Sequence, residues 1–354
     1  MHEHLTRLGW DRELPSGVDP ASLGRVIAPH GEAFVVQVAG QRVWGELSGP
    51  LQARMQSPEQ RPAVGDWVVL GALYDGGRNM QSALLLDVLA RRGLIARERS
   101  MGRGAQVLAA NVDVALIVTS ANNDLNIGRL HRYVLTARQF DVQPVVVLNK
   151  RDLVDDIASL LESVRVELPG VPAISTTVMQ DDGLDELHSQ LKSGQTAVLI
   201  GSSGVGKSSL ANALLGHEAQ SVKEIRNDDK GRHTTSAGAL FGLACGALLI
   251  DTPGLRELRV LADARGMAKV FGDVDALGEQ CRFNDCTHTE EPGCAVVTAL
   301  AAGELGKAHY AQYLKLRAEL AHQKRRIDPQ LGSGVKQRSR GAHKQVRRHP
   351  KRPR

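Results

Sequence analysis

At 354 residues and 38.2 kDa the chain exceeds what one hydrophobic core usually organises, so two or three domains are expected. Apolar residues make up 42% of it, yet no run of 18 or more occurs, and the opening MHEHLTRLGWDRELPSG lacks a basic-then-apolar signal pattern; the expectation is a soluble, cytoplasmic chain with no membrane partner. The net charge of +5 is uneven, because Gln323–Arg354 holds 12 Lys and Arg against one acid, Asp328, leaving 32 basic and 38 acidic residues elsewhere, a net of −6.

Residues 1–22, including His2 and His4, read as a flexible extension. From 23 to 94 short alternating stretches (GRVIA, AFVVQVAG, QRVWGEL, GDWVVL, SALLLDVLA) are separated by turn residues, and five strands in this length fit a small β-barrel, an oligonucleotide-binding (OB) fold in preference to an SH3-like one. Between 95 and 262 the rhythm becomes strand, helix, strand. VDVALIVTSA and QPVVVLNK are buried strands flanking NIGRLHRYVLTARQF, whose Leu130, Tyr133, Val134 and Ala137 have helical spacing. LDELHSQL is an amphipathic helix, TAVLIGSSGVGKSSLANALL reads strand, loop, helix, and GALLIDTPG strand then loop. Such alternation predicts an α/β domain with a parallel sheet covered on both faces. Residues 263–322 carry a mainly helical region around a cysteine cluster, ending in ELGKAHYAQYLKLRAELAHQKRR, a charged helix. The segment 323–354 reads as a basic, disordered tail suited to phosphate backbones.

GSSGVGKS fits the phosphate-loop pattern G-x-x-x-x-G-K-[ST] in the required strand-to-helix context. Gly201, Ser202, Ser203, Gly204, Val205, Gly206, Lys207, Ser208 and Ser209 are therefore candidate nucleotide contacts. Lys207 would reach the β- and γ-phosphates and the Ser208 hydroxyl a Mg²⁺ ion. DTPG follows a buried strand, which suits Asp251 for the Mg²⁺ side and the Gly254 N–H for a γ-phosphate. NKRD (Asn149, Lys150, Arg151, Asp152) has the guanine-reading N-K-x-D form. The Asp152 carboxylate can accept from N1–H and the exocyclic amine of guanine, whereas adenine presents a bare N1 acceptor, which argues against an ATPase. ISTT, Ile174–Thr177, follows where a second base-side loop belongs and offers Ser175 or backbone groups.

Cys281, Cys286, His288 and Cys294 have the spacing C-x₄-C-x-H-x₅-C, three thiolates and one imidazole, which suits one closed, structural Zn²⁺ site. Asp285, Glu290 and Glu291 read as solvated loop acids, and Cys245 as a small buried hydrophobe.

The order base reader, second base loop, phosphate loop, DTPG is reversed from the usual one, with a barrel before it and a cysteine cluster after it. A sheet fixes where strands lie, not which is visited first, so the same pocket can be built from a circularly permuted chain. From about residue 20 to 320 the sequence resembles the bacterial RsgA (YjeQ) family of small-ribosomal-subunit-dependent GTPases. The resemblance implies a permuted P-loop GTPase domain between an OB barrel and a zinc-binding helical domain. It makes KGRHTTSAG, Lys230–Gly238, the switch I segment, with Thr235, or Thr234 as the alternative, sensing Mg²⁺ and His233 positioning the attacking water. On the residues alone His233 reads equally well as a solvated loop histidine. Leu255 stands where many GTPases carry a water-orienting glutamine, so Lys207, Thr235 and His233 form the catalytic set and intrinsic hydrolysis is expected to be slow. Gly204 stands where potassium-activated relatives carry Asn, which argues against potassium dependence.

By the same resemblance the partners are GTP and GDP, the small (30S) ribosomal subunit and its rRNA, and the chain is a monomer acting late in subunit maturation. The alternatives are a zinc- and OB-containing RNA-binding module with GTP as a structural ligand, and a large-subunit assembly GTPase.

Overall fold

A computed structural model describes residues 3–77, 79–98, 105–122, 125–179, 183–216, 238–251, 264–283, 285–289 and 291–327. The chain divides into two units, Met1–Leu261 and Ala262–Arg354. The first opens with helix α1 (Glu3–Arg7), and the segment read from sequence as flexible is packed instead: Leu5 is 1% exposed, and Trp10 meets Trp67 edge to face at 4.9 Å. A leucine and a tryptophan five residues apart supply enough apolar surface to hold so short a segment down.

Strands β1 (Leu23–His30), β2 (Ala33–Val38) and β3 (Gln41–Leu47), helix α2 (Gly49–Arg54), and strands β4 (Trp67–Leu70) and β5 (Ser82–Val88) form a closed barrel in the order β1-β2-β3-β5-β4. The parallel β3–β5 pair and the antiparallel β1–β4 closure give the OB arrangement. Val26, Val36, Val43, Val68, Ala83 and Leu85, each fully buried, fill the interior. Helix α2, which the strand pattern does not announce, starts on Ser48, whose hydroxyl accepts from the Leu51 N–H at 3.4 Å.

An antiparallel pair, β6 (Leu94–Glu98) and β7 (Ala105–Ala110), links the barrel to the α/β layer. There β8 (Val114–Ser120), α3 (Ile127–Gln139), β9 (Gln143–Asn149), α4 (Ile157–Glu167), β10 (Ala173–Thr176), α5 (Leu184–Ser189), β11 (Thr196–Ile200), α6 (Lys207–Leu215), β12 (Ala239–Gly242) and β13 (Leu248–Asp251) follow in turn. The sheet order is β10-β9-β8-β11-β13-β12. Helices α3 and α4 bury Leu130, Val134 and Val164 against one face, and α5 and α6 bury Leu187, Leu210 and Leu214 against the other. The expectation of a parallel sheet holds for five strands, but edge strand β12 runs antiparallel to β13. The connection is a tight turn in which the Leu243 N–H donates to the Ala247 carbonyl and Gly246 takes φ +81°; so short a link permits only an antiparallel return.

Barrel and sheet meet at Arg25 of β1, which is 1% exposed. Its guanidinium donates to the Leu8 carbonyl, to the Gly65 carbonyl at 3.1 Å, to the Asn111 carbonyl at 3.1 Å and to Thr196 Oγ1 at 2.8 Å, and it lies over the Trp67 ring at 5.2 Å. Four chain segments thus converge on one side chain. Desolvation lowers its pKa to about 10, offset in part by Asp113 and Asp66, so it stays charged at neutral pH. Asp66, also buried, is paired with Arg91 at 2.7 Å and accepts from the Ala63 N–H at 2.7 Å.

The second unit contains α7 (Ala264–Gly278), kinked at Phe271, α8 (Ala295–Ala302) and α9 (Lys307–Ile327). Phe271, fully buried, contacts the rings of His309 and Tyr313 at 4.7 and 5.5 Å. Helix α9 runs through Ile327, five residues into the segment read as tail; 328–354 lie outside the described residues. Among the described residues no helix is long and apolar enough to cross a membrane.

Arg25→Ala takes a donor from three carbonyls and a hydroxyl, of which the Gly65 carbonyl keeps Asn111 Nδ2 at 3.0 Å, and opens a cavity, so it is expected to destabilise the first unit by about 3–5 kcal/mol, read as a lowered denaturation midpoint. Arg25→Lys keeps the charge but not the fork and should fall between.

Candidate nucleotide site and metal centre

Because β8 to β11 and β13 are parallel, their carboxyl ends share one edge of the sheet, where α/β proteins bind ligands. Asn149 ends β9, Thr176 ends β10, the phosphate loop leaves β11, and Asp251 ends β13. The sheet register sets Asn149 beside both Thr176 and Ser120.

Two reversed pieces of chain are joined by side chains. Asn149 Nδ2 donates to the Val205 carbonyl at 2.9 Å, while its Oδ1 accepts from Thr176 Oγ1 at 3.3 Å. Lys150, in a left-handed conformation (φ 61°), donates from Nζ to the Gly204 carbonyl at 2.8 Å. The approach is so close that a Cβ at Gly206 would sit 2.2 Å from Asn149 Nδ2, and Gly206 itself takes φ +95° to start α6. Lys207 Nζ donates to the Gly201 carbonyl at 2.7 Å and to the Ser202 carbonyl, folded over the cradle its own loop forms. Ser208 lies one residue along α6, whose N-terminus points its N–H groups at the loop.

Asp152 Oδ1 accepts from Thr177 Oγ1 at 2.5 Å, and Thr177 is 1% exposed. Ser175, which with the backbone is the expected base-side contact, is 4% exposed within β10, and the hydroxyls that brace Asn149 and Asp152 are those of Thr176 and Thr177. The signal for them was the pair of threonines in ISTT, whose hydroxyls follow the buried strand. Asp251 is half-buried at the end of β13, paired with Ala239. His233, Thr234, Thr235, Gly254 and Leu255 lie outside the described residues.

In the second unit Cys281, Cys286, His288 and Cys294 bring their ligand atoms within 4.8 Å of one another. Cys281 Sγ lies 3.5 Å from His288 Nδ1 and 3.8 Å from Cys294 Sγ, and Cys294 Sγ lies 3.6 Å from His288 Nδ1. The Cys286 thiol is pushed up to about 11 by desolvation and by hydrogen bonding with Cys294 and Cys281. Thiols this close lose their protons together only against a cation, and three sulfurs with one imidazole leave no open position, so the donor set fits a structural Zn²⁺. Cys294 also caps α8, accepting from the Val297 N–H at 3.5 Å. Glu291, read from sequence as a solvated acid, shapes the loop: its carboxylate accepts from the Thr287 N–H at 2.8 Å, the Thr289 N–H at 2.9 Å and the Thr287 hydroxyl. These donors hold its pKa well below the usual carboxylate range. Tyr310 Oη donates to the His288 carbonyl at 2.7 Å, fixing the ligand's backbone at φ 61°.

The family model for RsgA GTPase matches residues 88–261. The small ribosomal subunit biogenesis GTPase RsgA 2 of Lactiplantibacillus plantarum is 41% identical over 303 residues, covering 85% of this chain and 84% of that protein. The chain belongs to the RsgA GTPase family. The RsgA of Methanosarcina acetivorans, also a small ribosomal subunit biogenesis GTPase, is 38% identical over 349 residues, 97% of this chain and 92% of that protein. Among solved structures, YjeQ from Thermotoga maritima superposes with a TM-score of 0.62 at 26% identity, covering 85% of this chain and 98% of that one. YloQ, a circularly permuted GTPase, shares the fold with a TM-score of 0.60 at 23% identity, covering 88% and 99%. As a family member the chain is a GTPase, and its nucleotide is bound with Mg²⁺. The loop from Gly201 to Ser208 fits that group: its lysine already spans the cradle, and Gly201, Gly204 and Gly206 all take the positive φ that lets a backbone curl around phosphate oxygens.

Thr177→Val removes the donor that holds Asp152 and is expected to weaken GDP binding about tenfold, roughly 1.5 kcal/mol, while narrowing the preference for guanine over adenine nucleotides in competition titrations. Cys286→Ser should reduce bound zinc from one per chain to substoichiometric by elemental analysis and lower the helicity of the second unit, with GTP affinity unchanged.

Proposed function

We propose that this GTPase binds the small (30S) ribosomal subunit and assists its late maturation, hydrolysing GTP slowly alone and faster on the subunit. One observation carries the GTP half of this reading: the Asn149 to Val205 hydrogen bond, which makes one pocket of a base reader and a phosphate loop in reversed order. The subunit half is supported by the relatives, which are named small ribosomal subunit biogenesis GTPases.

In this reading Asp152 accepts from guanine N1–H and the exocyclic amine, with Thr177 fixing its second oxygen. Asn149, Lys150 and Arg151 line the base side, while Ser202, Ser203, Ser209 and the loop N–H groups surround the phosphates. Lys207 leaves its carbonyl partners for the β- and γ-phosphates. Ser208, with Asp251 and Thr235 on the outer side, would hold Mg²⁺, which would supply positive charge to the phosphates. Gly254 donates to the γ-phosphate and His233 orients the attacking water. Leu255 neither donates nor accepts, so the site is incomplete until a partner orders switch I.

Permutation sends the chain from DTPG into the zinc-bearing unit within about ten residues, so nucleotide state is passed to that unit through this short stretch. The organisation we assign is extension 1–22, barrel 23–94, GTPase domain 95–262, zinc domain 263–322 and basic tail 323–354, the tail contacting rRNA phosphates. The protein works as a cytoplasmic monomer.

The test is multiple-turnover phosphate release by wild type and His233→Ala, each with and without purified small subunits. Wild type should be stimulated at least tenfold and His233→Ala should lose most of that stimulation while binding GTP normally. Absence of stimulation in wild type would make the chain an RNA-binding module with GTP as a structural ligand; stimulation by large subunits instead would move it to the other assembly pathway.

A further inference from the structure

We infer that Met179 is a modification site: a peroxide oxidises its thioether to the sulfoxide, and the new oxygen loosens the grip of Asp152 and Thr177 on guanine. The inference rests on the reading above in which Asp152 meets the guanine edge, and it adds a redox control to that site.

Met179 lies in the turn that follows β10 and Thr177. Its N–H donates to Thr177 Oγ1 at 3.3 Å, and the same hydroxyl gives its proton to Asp152 Oδ1 at 2.5 Å, so the residue is joined to the base reader through one oxygen. Thr177 is 1% exposed, yet Met179 is 79% exposed, more than any other large apolar side chain among the described residues. Leu153, directly after Asp152, is 56% exposed. Apolar side chains are thus left open next in the chain to both partners of the bond that faces the polar edge of the base, which suits the flat face of a purine. Exposure also selects this sulfur. Met55 and Met80 are half-buried and Met267 is buried, so a peroxide reaches Met179 first among the described methionines.

With hydrogen peroxide the sulfur lone pair takes one oxygen. An S–O bond forms as the O–O bond breaks, the sulfur gives up two electrons, and the other oxygen leaves as water, carrying the proton of the one transferred. The product bears a strong acceptor where the thioether is a weak one. The Thr177 hydroxyl has a single proton, already given to Asp152, and the oxidised side chain two residues on competes for it. Losing that donor frees the Asp152 carboxylate to turn from the base, and the apolar surface beside it becomes polar. The phosphate loop, Gly201 to Ser208, keeps its contacts, so the loss falls on the base and not on the phosphates. Thiol-dependent reduction of the sulfoxide restores the thioether, which makes the control reversible.

The test uses the full-length, zinc-loaded protein and hydrogen peroxide, with the sites of oxidation read by peptide mass spectrometry. GDP affinity is expected to fall about fivefold once Met179 carries one added oxygen, with the preference for guanine over adenine nucleotides narrowed, and to recover after treatment with a methionine sulfoxide reductase. Met179→Leu keeps an apolar side chain without a sulfur, so it should bind GDP equally well before and after the same peroxide, which separates this sulfur from the cysteine cluster. Met179→Gln should bind GDP about as weakly as the oxidised protein with no peroxide added. GDP bound beforehand should slow oxidation of Met179 but not of Met55. Unchanged affinity with Met179 fully oxidised, or an equal loss in Met179→Leu, would overturn the inference. Asp152→Asn checks the underlying reading separately: if it leaves the preference for guanine intact, that reading falls and the control with it, whereas a preference moved to xanthine together with an oxidation-insensitive wild type removes the control alone.

Discussion

Two loops some fifty residues apart act as one pocket because the Asn149 carboxamide is fully engaged by the protein: donor to the phosphate loop at Val205, acceptor from Thr176. An amide satisfied at both ends is worth more than its two bonds, since breaking either strands a buried polar atom. Lys150 adds a charged tie to the same loop at Gly204, and Asp152 is steadied by Thr177. The base-reading and phosphate loops are thus positioned by contacts across the ends of adjacent parallel strands. Strand adjacency, and not chain order, is what the pocket requires, and permutation leaves it untouched.

A second constraint acts at the opposite end of β11. Thr196, its first residue, receives Arg25 at 2.8 Å and donates its N–H to Asp113 at 2.7 Å. The strand that delivers the phosphate loop is therefore gripped at its base by the barrel. A charge this deeply buried tolerates little rearrangement, because each lost hydrogen bond would leave it uncompensated. Barrel and sheet are accordingly tied to each other through this one side chain.

Much of this was legible in the sequence, for definite reasons. Barrel strands and sheet strands announce themselves by alternation and by continuous apolar runs, and the phosphate loop, N-K-x-D and cysteine cluster by fixed spacing. What escaped was of another kind. Arg25 looks like any strand arginine; only the convergence of Leu8, Gly65, Asn111 and Thr196, up to 171 residues away, makes it a joint. ISTT offers Ser175 or backbone groups to the base; that Thr176 and Thr177 brace Asn149 and Asp152 depends on the register of β10 against β9, which spacing does not carry. Glu291 reads as a surface acid until the turn of Thr287 and Thr289 aims two N–H groups at it. The edge strand β12, four residues long, is too short to carry a period.

That short edge strand has a mechanical meaning. Ala239, where β12 begins, is paired with Asp251, where β13 ends, so the exits to switch I and to DTPG are the two tips of one hairpin, with Cα atoms about 5 Å apart. A pair of tweezers joined at Gly246 cannot open one tip without the other registering it. The two segments proposed to sense the γ-phosphate and its metal thus leave from one pair of facing residues.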